Sequence, residues 1–168
     1  GGELPFLSNV INKEILNNKK LNTIKNNDLK NLLEITQEQY ISKISKMDSS
    51  NKVFIDKAPL NYRYIGFIKK IFPNSKIINC NRDPIDVCWS NYKNFFSGTL
   101  LFSNDLNNLA SYYSLYQNYI KFWKELFPDE IYDMVYENLV ENPMEEIKNL
   151  LNFCDLEWEE NCLKHENN

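Results

Sequence analysis

The sequence has one histidine and four cysteines, and no two cysteines form a C-x-x-C pair. A single imidazole cannot complete a usual zinc set, so a metal site is not expected. Cys80, Cys88, Cys154 and Cys162 read instead as buried free thiols, which fits a reducing compartment such as the cytoplasm. A basic excess is also lacking, since 19 Lys and Arg stand against 23 Asp and Glu for a net charge of −4. That excludes a nucleic-acid binder working by overall charge, so any anion site must be local. No apolar run approaches the roughly 20 residues of a membrane span. No signal-peptide pattern is visible. The opening "GGELPFL" has no Met, so a natural N-terminus is expected upstream and targeting stays open. Neither an internal repeat nor a low-complexity linker occurs, and residues 1–168 read as one domain.

What is present is ordinary globular composition, 43% hydrophobic and 25% charged, in a chain long enough for a real core. Helical spacing of Leu29, Leu32, Leu33, Tyr40, Ile41 and Ile44 predicts a helix over 28–47. "NKVFIDKAP" predicts a short strand from Val53 to Asp56, stopped by Pro59. "NYRYIGFIKKIF" carries Tyr64, Ile65, Ile68, Ile71 and Phe72 on one helical face. "KIINC" is a continuous apolar strand of the kind found in parallel sheets covered on both sides. Asp83 then caps a helix whose first residue is Pro84. A long helix follows over 105–127, then the strand "EIYDMVY". A last helix is expected with Asn142 as cap, Pro143 first and Glu145 at the capping-box position. Alternating strands and helices give an α/β class with a parallel sheet.

In such sheets ligands bind beyond the carboxyl ends of the strands. Two of those ends are polar: Asp56-Lys57 and Asn81-Arg82-Asp83. Arg82 stands between a strand and a helix N-terminus, where free N–H groups and the helix dipole favour anions. Its planar guanidinium suits phosphate. Ser90, about two turns into the same helix, leans back toward that end, so one phosphate could meet both. The residues alone leave a second reading open, in which Arg82 pairs with Asp83 or Asp86 and Ser90 packs.

The stretch "DKAPLNYRYIGFIKKIFPNSKIINCNRDPIDVCWSNY" resembles the sulfotransferases that use 3′-phosphoadenosine-5′-phosphosulfate (PAPS). It looks most like their bacterial branch related to protein-tyrosine sulfotransferases. The ordered set DKxPxN, FPNxKII and RDPxDxxxS is far more specific than any one piece. The resemblance implies a P-loop NTPase-like three-layer fold, a parallel sheet flanked by helices. It implies that Arg82 and Ser90 hold the 3′-phosphate of the nucleotide. Lys57 then matches the lysine beside the transferring sulfuryl group, where negative charge builds as the phosphate leaves. Its plainer alternative is a surface lysine paired with Asp56. "GGELPFL" resembles the segment after the family's phosphosulfate loop, which makes Glu3 the candidate general base. "DMVYENLVENP" resembles a strand ending in Arg-Tyr-Glu-x-Leu, with Val135 in place of the Arg, and assigns Tyr136 to the nucleotide. The lone histidine, His165, reads as a surface or packing residue.

The departures are as informative. The family's Pro-x-Ser-Gly-Thr-Thr loop is absent, and so is any G-x-x-x-x-G-K-[ST]. The expectation is therefore a sulfotransferase domain incomplete at both ends, taking PAPS as donor and a hydroxyl of a protein, carbohydrate or small alcohol as acceptor, without metal. A non-catalytic nucleotide-binding module is the main alternative. A kinase-like phosphoryl transferase lacks its lysine loop and magnesium carboxylates here, and a ligand-free helical interaction domain does not explain the polar strand ends.

Overall fold

The computed structural model describes residues 6–17, 25–46, 53–94, 96 and 98–163. The chain divides into two compact units, Gly1–Ser75 and Lys76–Asn168.

The first unit is helical. Helix α1 (Phe6–Ile11) continues into a π-helical turn, Asn12–Leu16, and α2 spans Asn26–Ser45. A 3₁₀ segment, Pro59–Tyr64, leads into α3 (Ile65–Ile71). Proline at the start of that segment needs no hydrogen-bond partner for its missing N–H. Leu7, Ile11, Tyr40, Tyr64 and Ile71 form the core, with Leu33, Ile44 and Phe72 against it. These are largely the residues whose helical spacing the sequence shows. Thr36 is fully buried, and its hydroxyl donates to the Leu32 carbonyl at 2.7 Å.

The expected strand at Val53–Asp56 does not form. Val53, Phe54 and Ile55 are 54%, 44% and 81% exposed. A strand exists only as part of a ladder, and among the described residues no neighbour supplies one.

The second unit carries the sheet. Strands β1 (Ile77–Asn81) and β2 (Ile131–Val135) pair in parallel, with Ile77 opposite Ile131 and Asn81 opposite Val135. Between them run α4 (Pro84–Lys93), a 3₁₀ segment Gly98–Asn104 and α5 (Leu106–Leu126). Asp105 caps α5, accepting from the Asn108 N–H at 2.8 Å. After β2 come α6 (Tyr136–Glu141) and α7 (Pro143–Phe153). The result is a mixed α/β chain, mostly helical, with a parallel two-stranded sheet.

Two local expectations need correction. Asn142 makes no side-chain cap on α7, and its N–H, which a Glu145 capping box would take, goes instead to the Asn138 carbonyl at 2.8 Å as α6 ends. Its carbonyl starts α7 by accepting from the Glu146 N–H. The four thiols are free but not buried: Cys80 is exposed, and Cys88, Cys154 and Cys162 are half-buried. Cys80 shares a strand face with Ile78, itself 39% exposed, since side chains alternate across a strand.

Candidate functional site

The opposite face of β1 is polar. Asn79, only 8% exposed, donates through Nδ2 to Asp133 Oδ1 at 2.8 Å, its register partner on β2. Tyr116 on α5 donates its hydroxyl to Asn79 Oδ1 at 2.5 Å and reaches Asn81 Oδ1 at 3.3 Å. Lys124, two turns further along α5, pairs with the other oxygen of Asp133. Burial pushes the Asp133 carboxyl up, but the bonds from Asn79, Lys124 and Asn81 hold it below its ordinary value. Burial pushes the Tyr116 phenol up to about 12, against the pull of Asn79. A slip of one residue between β1 and β2 would put Asn79 and Asp133 on opposite faces. The network therefore fixes the register, and with it the two strand ends where the candidate residues stand.

Because the folded-state Tyr116 value lies above the usual 10, its contribution is intact below about pH 10 and is lost as pH rises from there toward about 12. Tyr116→Phe is expected to lower stability at pH 7 by about 1–3 kcal/mol, since it strands a buried acceptor. It should also flatten the decline across that alkaline window. Urea midpoints measured from pH 7 to 12 check both; an unchanged alkaline slope would remove Tyr116 from the account.

At the end of β1, Asp83 caps α4 as the sequence predicts. Its Oδ1 accepts from the N–H groups of Ile85 at 2.8 Å and Asp86 at 3.1 Å. Arg82 directs Nη2 to Asp86 Oδ2 at 3.0 Å, one helical turn on. Its guanidinium also lies 5.0 Å from the centre of the Tyr136 ring, within cation–π range. Tyr136 follows β2 as Arg82 follows β1, so parallel pairing brings the two together. Next to Tyr136, Glu137 accepts the Asp83 N–H at 3.0 Å. The pairing with Asp86 that the residues left open is thus present, alongside the stacking on Tyr136. Ser90 lies on α4 and is exposed, like Arg82.

Lys57 belongs to the first unit and is exposed. The residue before it is anchored: Asp56 accepts from the Tyr40 hydroxyl at 2.5 Å and from Asn61 Nδ2 at 3.2 Å. Burial, then the bond to Asp56, raises the Tyr40 phenol far above its ordinary value, so Tyr40 stays a neutral donor. Asn61 is the Asn of the DKxPxN motif, and its bond back to Asp56 explains their spacing. Glu3 and His165 lie outside the described residues. Sequence reasoning missed Asn79, Tyr116 and Asp133, since polar residues inside strand and helix patterns carry no sign of their partners.

Open depressions of about 390 Å³ beside Gln117, Lys121 and Lys124, and of about 410 Å³ beside Asn142 and Lys148, do not include Arg82, Tyr136, Ser90 or Lys57. Among the described residues no helix is long and apolar enough to cross a membrane, and no cluster of three or more His, Cys, Asp or Glu could hold a metal.

Residues 8–160 match the sulfotransferase family. The chain belongs to that family. A protein of Aquifex aeolicus (strain VF5), named only as uncharacterized, is 36% identical over 137 residues. That match takes in 80% of this chain and 18% of the relative, so the chain spans less than a fifth of the relative's length. No solved structure matches it. Within the chain, the region matched to the family contains Lys57, Arg82, Ser90 and Tyr136 and begins after Glu3.

Proposed function

We propose that the chain is one sulfotransferase domain, or the larger part of one, that moves a sulfuryl group from PAPS to an acceptor hydroxyl on a protein tyrosine, a carbohydrate or a small alcohol, in the cytoplasm. Family membership supports sulfuryl transfer. The observation that carries the nucleotide reading is Arg82, exposed at the carboxyl end of β1 with its guanidinium over Tyr136. A planar cation backed by an aromatic ring, with part of its fork open to solvent, suits a phosphate.

In this reading Arg82 and Ser90 hold the 3′-phosphate and Tyr136 supports Arg82 and the nucleotide. When bound, PAPS supplies the sulfuryl group, whose bond to the phosphate oxygen breaks as the acceptor oxygen bonds to sulfur. Glu3 takes the acceptor's proton. Lys57 faces the charge that develops on the departing phosphate, on a backbone that Tyr40 and Asn61 steady through Asp56. The alternative is a nucleotide-binding module without chemistry.

The test is transfer of radiolabelled sulfuryl from PAPS to a panel of tyrosine peptides, sugars and simple alcohols, with nucleotide binding followed by calorimetry. Transfer that depends on Arg82 supports the enzyme. Binding without transfer to any acceptor, even when a phosphosulfate-loop segment is supplied, supports the module. Failure to bind adenosine 3′,5′-bisphosphate at all overturns both.

A further inference from the structure

The start of α4 offers a ligand less than a bare helix end would. Pro84 has no N–H, those of Ile85 and Asp86 go to the Asp83 side chain, and that of Val87 goes to the Asp83 carbonyl. The N–H of Asp83 itself goes to Glu137. The donors of the first turn are therefore taken by the chain's own oxygens, and the recognition of an anion falls to Arg82. Arg82 in turn is held by Asp86, with both side chains about half exposed, at 44% and 56%.

We infer that Asp86 is an internal competitor for Arg82, which lowers affinity for the nucleotide and speeds its release. The inference rests on the reading of Arg82 as phosphate anchor. An exposed ion pair is weak and easily displaced, whereas a phosphate on a guanidinium forms two charge-assisted bonds. A phosphate that takes Nη2 as one of its two donors nonetheless displaces Asp86 from it, and it leaves the Asp86 carboxylate beside the incoming phosphate. Asp83 and Glu137 are the other carboxylates around this helix start, and one oxygen of each, Asp83 Oδ1 and Glu137 Oε1, is held by backbone N–H groups. Asp86 alone among the three is paired with the guanidinium. Because it sits in the first turn of α4, just after Arg82 along the chain, it recaptures Arg82 without diffusing to it. The spent nucleotide keeps its 3′-phosphate, so the same exchange acts on product departure, a step that limits many enzymes.

The test compares the protein with its Asp86→Asn variant, which keeps the backbone bond to Asp83, and with Asp86→Ser as a second variant. Probes are adenosine 3′,5′-bisphosphate and adenosine 5′-phosphate. Expected in both variants is about threefold to tenfold tighter binding of the bisphosphate, with a matching fall in its release rate. Binding of the 5′-phosphate should not change, and the gain in bisphosphate binding should shrink when Asp86→Asn is added to Arg82→Ala. In steady state kcat and KM for the donor should fall together, whereas mere structural damage lowers kcat and raises KM. If bisphosphate binding depends on Arg82 but Asp86 changes neither affinity nor release, the competitor is overturned and the anchor stands. If bisphosphate binding is indifferent to Arg82, the anchor reading itself fails.

Discussion

Glu3→Gln is expected to lower the turnover of sulfuryl transfer by about 100-fold or more while leaving nucleotide affinity near normal, as for loss of a general base. The amide keeps the shape of the carboxyl and removes its ability to accept the acceptor's proton. Because the proton moves in the transition state, the loss belongs in kcat rather than in binding. Single-turnover rates at saturating donor and acceptor measure it directly, and equal activity in the variant removes Glu3 from the mechanism. Lys57→Ala should lower turnover as well, since its charge matters most when the leaving phosphate develops. The anchoring of Asp56 by Tyr40 and Asn61 adds an internal check. Tyr40→Phe should cost turnover through the position of Lys57, and Lys57→Ala should make that second change nearly silent.

Arg82→Ala is the second large effect. It is expected to weaken adenosine 3′,5′-bisphosphate by about 1.5–3 kcal/mol, or roughly 10- to 150-fold. The same nucleotide without its 3′-phosphate should lose far less. Arg82→Lys should recover only part of the loss, because an ammonium neither forks onto phosphate nor stacks on the Tyr136 ring in the same way. Titration calorimetry with the two nucleotides reads the difference between them. Equal losses for both would mean that Arg82 serves the fold or the adenosine rather than the phosphate.

Much of the second unit was legible from local chemistry. The run "KIINC" falls on β1 shifted by one residue, Asp83-Pro84 starts α4 with the cap in place, and "EIYDMVY" holds β2. Those signals are short-range: an apolar run, a capping carboxylate, a proline with no N–H to satisfy. The ordered motifs also placed the family, since DKxPxN, FPNxKII and RDPxDxxxS carry backbone and charge requirements that can be read in line. Val53–Asp56 misled because strand propensity says nothing about a partner, and its apolar side chains stand exposed.

By itself the sequence determined that Arg82 stands at the end of one strand run, that a capped helix follows, and that Tyr136 stands at the end of another, one residue past β1 and β2 respectively. Only the tertiary structure decided what Arg82 meets. Parallel register sets Asn81 beside Val135 and so brings Tyr136 under the guanidinium. The first turn of α4 brings Asp86 to it as well. The same register assembles Asn79, Asp133 and Tyr116, whose polar groups are spaced 54 and 37 residues from Asn79 along the chain. Hydrogen bonds over such separations depend on how the strands pair and where the helix crosses them. No window of sequence contains that information, and the closure of those long loops is bought by packing rather than by local preference.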